Sequence, residues 1–152
     1  MALTLSTARD VVEVLLSDTA NLIFSTDMLD QCLRAALSDL SRAYDESLTL
    51  NGLDGAAINT FDALDEQLIL QGAVAYTLAA RTAARHEQAS PEGLPASLAA
   101  FSEVCMTLFQ NQLLWVQKRV AQKADLARLT ALQSASDPPY AAWQWAEGTD
   151  FS

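Results

Sequence analysis

The chain has 152 residues, 51% hydrophobic and 18% charged, which is enough apolar material for one packed domain. Five glycines, four prolines and two cysteines exclude a collagen, a low-complexity disordered chain and a disulfide scaffold. Nine Lys and Arg against nineteen Asp and Glu leave a net charge of −10, which argues against tight binding to nucleic-acid phosphates or anionic lipid.

Met1 to Thr7 carry neither a basic segment nor a long apolar run, so no secretory leader is expected. Thr7 reads as a helix N-cap with Asp10 three residues later, and Val11, Val12, Val14, Leu15 and Leu16 form the apolar face of a short helix over 7–18. Ser25 or Thr26 caps the next helix, with Asp27 and Asp30 in its first turn. Leu29, Leu33, Ala36, Leu37, Leu40 and Tyr44 follow at helical spacing, which predicts a second helix over 27–44.

After Tyr44 the period changes. Ser47-Leu48-Thr49-Leu50 alternates with period two, Asn51-Gly52 and Asp54-Gly55 are turn signals, and Ala57-Ile58-Asn59 can return as a partner strand. The reading is a small β-hairpin or an ordered loop resting on helices or on a neighbouring chain.

Thr60 is the expected cap of a third helix over 61–87, with Asp62, Asp65 and Glu66 near its start. Phe61, Leu64, Leu68, Ala75 and Ala79 make one stripe and Leu70, Val74 and Leu78 a second, so this helix is expected to be buried on two sides. Gly72, Ala73, Ala79, Ala80, Ala83 and Ala84 are small enough for neighbours to come close. The apolar stretch from Leu68 to Ala80 is shorter than the roughly 20 residues a membrane span needs. Ser90 to Pro95 is a loop.

Pro95 suits the first turn of a fourth helix, and no Gly or Pro then interrupts the chain before Pro138. That predicts a long helix over 96–134. Phe101, Val104, Cys105, Leu108, Trp115 and Val116 are its expected core stripe. Lys118, Arg119, Lys123 and Arg128 against Asp125 make residues 117–128 basic by three charges, so the helix is expected to leave the bundle as an arm or to break near Gln117. Leu126, Leu129 and Leu132 then need a surface to cover them. The tail from Ser134, stopped by Pro138-Pro139, holds Tyr140, Trp143, Trp145 and Phe151, four of eleven aromatic residues. Aromatics are scarce in disordered chains, so this tail reads as a docking segment. The expected organisation is an all-α bundle of about four helices over 1–134, with the hairpin inserted, and an extended aromatic tail over 135–152.

Chemistry-bearing residues are sparse. Cys32 and Cys105 stand alone and read as small buried apolar residues in a reducing compartment, with a mutual disulfide as the alternative. One histidine and two isolated cysteines lack metal-ligand spacing, and no cofactor motif is present. Asp62, Asp65, Glu66 and His86 sit where they complement helix dipoles, so they read as structural charges, and no enzyme activity is expected. Charge is uneven: residues 1–66 hold twelve acidic and three basic side chains, residues 67–152 seven and six. An acidic face and a basic arm on one chain suit head-to-tail contact between copies, with surface solvation as the plain alternative.

The order of parts is similar to that of the head–tail connector, or adaptor, proteins of tailed bacteriophages. A short helix is followed by Leu33-Arg34-Ala35-Ala36-Leu37-Ser38-Asp39-Leu40-Ser41-Arg42, then by Ser47-Leu48-Thr49-Leu50 with its Gly turn. The Ala-rich Leu68-Ile69-Leu70-Gln71-Gly72-Ala73-Val74-Ala75-Tyr76-Thr77-Leu78-Ala79-Ala80-Arg81 and a long last helix complete it. The resemblance spans about residues 5–130 and includes no catalytic signature. It implies a structural virion protein of the phage neck, made in the host cytoplasm, that forms a ring, usually a dodecamer. Such a ring joins the portal to the tail or a stopper and lets DNA pass without specific binding, and no membrane is involved. Leu126, Leu129, Leu132, Tyr140, Trp143, Trp145 and Phe151 are the expected contact residues. Two rival readings are a helical adaptor with one protein partner, bound through the C-terminal arm and tail, and a ligand carrier or small enzyme with a pocket among Tyr76, Phe101 and Trp115.

Overall fold

The computed structural model describes residues 3–18, 23–88 and 96–136, and the side chains of all of these except 85–88, 96–97 and 133–136. The His86 side chain, the 90–95 loop and the tail with Tyr140, Trp143, Trp145 and Phe151 lie outside the described residues. Four helices follow one another: α1 (Leu5–Leu15), α2 (Thr26–Tyr44), α3 (Ala63–Gln88) and α4 (Ala96–Ser136). Two compact units divide the chain at Gln117 and Lys118, so α4 contributes to both and runs through Gln117 without a break.

The first unit is built around α2 and α3, with α1 packed on both. The α2 stripe is buried as its spacing requires: Leu29, Leu33, Ala36 and Leu40 are fully enclosed, and Cys32, Leu37 and Ala43 nearly so. Ser25 caps the helix by accepting from the Met28 amide at 3.3 Å. Asp45 ends it in the left-handed conformation. On α3, Leu68, Ile69, Ala73, Ala75 and Leu78 face the core. Gly72 lies where three helices meet. A Cβ there would stand 2.6 Å from the Phe109 ring of α4 and 2.8 Å from the Ala36 Cβ of α2, so only glycine admits this approach.

Polar clamps tie the helices. Arg9 of α1 forks onto Asp30 of α2, donating from Nε to Oδ1 at 2.6 Å and from its terminal nitrogen to Oδ2 at 2.5 Å. Tyr44 donates to the buried Asp65 carboxylate at 2.7 Å, and Tyr76 donates to Asp39, joining α2 and α3 at a second point. Burial, and then the Asp39 carboxylate, push the Tyr76 hydroxyl up to about 12. Asp18 is 4% exposed and its Oδ2 accepts from the amides of Ile23 and Phe24, which holds the entry to α2.

Several boundaries differ from expectation. α1 begins at Leu5 because Thr4 is the cap: the Thr7 amide donates to Thr4 Oγ1, and the Thr4 amide donates back to Thr7 Oγ1. Thr7 is thus the third residue of the helix and closes the capping box. Thr60 does not serve as the cap of α3 as expected. Its hydroxyl receives the Thr49 amide at 2.8 Å, and the helix begins at Ala63. Leu64, expected in the α3 core stripe, is 81% exposed.

The expected hairpin is not formed. Among the described residues there is no strand, only an isolated parallel bridge between Thr4 and Asn51, where the Leu5 amide donates to the Asn51 carbonyl at 2.8 Å. The two arms lie side by side, joined by backbone bonds from the Thr60 amide to the Thr49 carbonyl at 3.2 Å and from the Gly52 amide to the Ala56 carbonyl at 2.8 Å, and side chains supply the other links. The Asn51 amide donates to Asn59 Oδ1 at 2.6 Å, and Thr49 Oγ1 donates to the Ile58 carbonyl at 2.9 Å. Asn59 Nδ2 also donates to the Leu3 carbonyl at 2.7 Å, so this one side chain stitches the N-terminal segment to the loop. Leu48, Leu50 and Leu53 plug into the core, while Ile58 on the returning arm is exposed. Gly52 at φ +90° passes within 3.1 Å of the Leu5 Cβ, counted from where its own Cβ would be. The outer side of the loop is held by Arg34, whose guanidinium forks onto Asp54.

Candidate functional site: an uncovered apolar surface on α1, α3 and α4

α4 presents two stripes, and of the expected core stripe only Val116 and, in part, Cys105 face the core. Ser102, Phe109 and Val116 are buried and Cys105 half-buried, at spacings of seven with Cys105 between. Phe109 meets Tyr76 edge to face, ring centroids 6.1 Å apart. Phe101, Val104, Leu108 and Trp115, read from the sequence as core, are instead 56%, 55%, 57% and 72% exposed. At about 100° per residue these four lie on a flank roughly a quarter-turn from the buried stripe, and one bundle contact does not cover so wide an arc. α1 behaves the same way. Ala8 and Val12 are fully buried, whereas Val14 and Leu15 are more than half exposed.

These flanks meet in a groove. A cavity of about 320 Å³, open on one side, is lined by Leu15 of α1, Val74 of α3, and Phe101, Cys105, Leu108 and Phe109 of α4, with Gln71 and Gln112 as its polar members. A second hollow shares Leu15 and Gln71 and adds Val11, Leu70 and Glu66. Burial raises the Cys105 thiol above its usual range, and Cys32 behaves likewise for the same reason, so both remain neutral thiols at neutral pH. Both cysteines are free. Of the residues of the expected Tyr76, Phe101 and Trp115 pocket, Phe101 lines this groove.

In the second unit, residues 118–132 of α4 are exposed apart from the half-buried Val120. Leu126, Leu129 and Leu132 are 64%, 57% and 66% exposed, so the three predicted contact leucines present open apolar surface among the described residues. The tail residues Tyr140, Trp143, Trp145 and Phe151, expected beside them, lie outside the described segments. Sequence reasoning missed Leu15, Val74 and Gln71 as surface residues. The signal was present in the seven-residue spacing of Phe101, Leu108 and Trp115, which marks a stripe separate from Phe109 and Val116.

The charge is as uneven in space as in sequence. The first unit holds fifteen acidic and five basic residues, and Arg9, Arg34 and Arg42 are each engaged by an aspartate. Among the described residues no group of three His, Cys, Asp or Glu is placed to hold a metal, and no helix is long and apolar enough to cross a membrane. Among the described residues the groove offers mainly apolar surface for contact. No protein-family model, curated protein or solved structure matches this chain.

Proposed function

We propose that this chain is a structural virion protein of the phage neck, forming a ring that joins the portal of the head to the tail and lines the path of the DNA. The observation that carries this reading is the uncovered apolar surface along α4. Phe101 and Leu108 in the first unit, and Leu126, Leu129 and Leu132 in the second, are all more than half exposed, and large apolar side chains left in water in such numbers mark interaction surfaces. The all-α order of parts and the resemblance in the α2, loop and α3 segments direct that surface toward assembly with copies of itself. A wall carrying net −10 per subunit repels phosphates, so DNA moves past it without being held. The partners are further copies of the chain, a portal, and a tail or stopper protein. The tail over 135–152 is the segment proposed to dock on the portal or on a neighbouring copy. The role needs binding surfaces and no catalysis.

Native mass spectrometry with negative-stain imaging, on the full chain alone and mixed with a portal, tests the proposal. Rings of about a dozen copies in either sample are the expected result. A one-to-one complex would replace this reading with that of an adaptor for a single partner. A monomer in both samples, across several portals, would overturn it. Deleting 135–152 is expected to abolish portal attachment, and a truncated chain that still attaches removes the tail from the role.

A further inference from the structure

We propose that the groove between α1, α3 and α4 of the first unit is the seat for the leucine face of residues 126–132 from a second copy of this chain. The inference goes beyond the connector reading by naming the two surfaces that meet, and it stands whether or not the assembly closes into a ring.

Two apolar surfaces among the described residues are exposed and match in kind. The groove is walled by Leu15, Val74, Phe101 and Leu108 and is open on one side, as a seat for side chains projecting from a helix must be. Leu126, Leu129 and Leu132 follow at i, i+3 and i+6, which puts them on one helical face about 120° wide. Within their own chain they are exposed by more than half. A helix whose apolar face stays in water gains little from packing.

Charge selects the occupant. Residues 118–132 carry Lys118, Arg119, Lys123 and Arg128 against Asp125, so the leucine face arrives on a basic helix. The receiving unit has ten more acidic than basic residues, no basic side chain lines the groove, and Glu66 lines the adjoining hollow. The competing segment of this chain is the aromatic tail. Residues 137–152 hold Asp137, Glu147 and Asp150 and no basic residue, so the tail would bring like charge to an acidic unit. The basic helix is the better fit. Because the seat and the inserted face are different patches, the contact is heterologous. It can propagate from copy to copy and close into a ring, or be exchanged reciprocally in a pair.

Cys105 inside the groove makes the test direct. A chain carrying L129C and C105A is mixed with a full chain of natural sequence made heavier by an N-terminal extension, and the mixture is oxidised mildly. A disulfide demands Cα atoms within about 7 Å, so its formation reports seating. A covalent pair of mixed mass, joined from residue 129 to Cys105 and absent when the heavy chain carries C105A, is the expected result. A pair joined only from residue 129 to residue 129 would overturn the proposal, as would a W143C chain that joins Cys105 in place of L129C, because the tail would then be the occupant. A small apolar compound displaced from the groove with no cross-link formed would overturn it too. Leu129→Glu, at an exposed position, is expected to leave the helical content intact and weaken association at least tenfold. Ile58→Glu, also exposed, is expected to leave association unchanged. Native mass spectrometry of the same samples separates the two readings. Rings without the cross-link remove this seat and leave the connector reading standing, whereas cross-linked pairs without rings keep the seat and end that reading.

Discussion

α2 and α4 carry apolar residues at the same helical spacings and meet opposite fates. Leu29, Leu33, Ala36 and Leu40 of α2 are fully buried, while Phe101, Val104, Leu108 and Trp115 of α4 are exposed by more than half. The difference is one of surroundings. α2 is enclosed by α1, α3 and the three leucines of the 45–62 loop, and its single stripe is all it needs to hide. α4 spends its Ser102, Phe109 and Val116 face on the first unit and keeps a further stripe outside. Period measures how a helix is apolar. It does not say whether its own chain or a partner supplies the cover.

The comparison can be broken most strongly on the α2 side. Leu33→Ala removes a fully enclosed side chain and is expected to cost about 2–5 kcal/mol in chemical denaturation. Val104→Ala on α4, by contrast, is expected to change the stability of the isolated chain by less than about 0.5 kcal/mol. A comparable loss for both would mean that α4 is covered as α2 is. Gly72→Ala probes the point where the two helices come closest across α3. The added methyl collides with Phe109 and Ala36, an overpacking cost of about 1–3 kcal/mol that outweighs the roughly 1 kcal/mol alanine gains in a helix. A lower melting temperature is the expected outcome, and a higher one would show that Phe109 yields freely.

A smaller loss than that of Leu33→Ala is expected of Tyr76→Phe, which removes the hydroxyl that donates to Asp39 and should cost about 1 kcal/mol at neutral pH. Its sharper signature is in alkali. Tyr76 is raised in the folded chain to about 12 from an ordinary 10, so the stability it contributes is complete below pH 10 and is lost as pH rises through 12. Unfolding curves of the natural chain should therefore fall more steeply between pH 10 and 12 than those of the Phe variant. Parallel curves would place the Tyr76 hydroxyl in solvent.

Much of the fold was legible in the residues. Four helices, the α2 core stripe, the Ser25 cap and a long uninterrupted last helix all follow from spacing, capping residues and the positions of Gly and Pro. The α1 cap was misplaced by three residues because Thr4 and Thr7 are both competent caps. Only the approach of Asn51 to Thr4, from the far side of α2, decides between them. The loop was misread as a hairpin because alternation and turn glycines describe extended chain in general. Whether a ladder forms depends on what else captures the amides, and here Asn59 and Thr60 capture them.

The groove was the least legible feature, since its walls come from three helices distant in sequence. By itself the sequence determined the helices, the acidic first unit and the basic, leucine-bearing segment after Gln117, because propensity, capping and charge are local or additive properties. Only the tertiary structure decided which apolar stripe of α4 was buried and which was left outside. Burial is a property of pairs of surfaces, and a stripe on one helix does not reveal which neighbour, if any, comes to meet it.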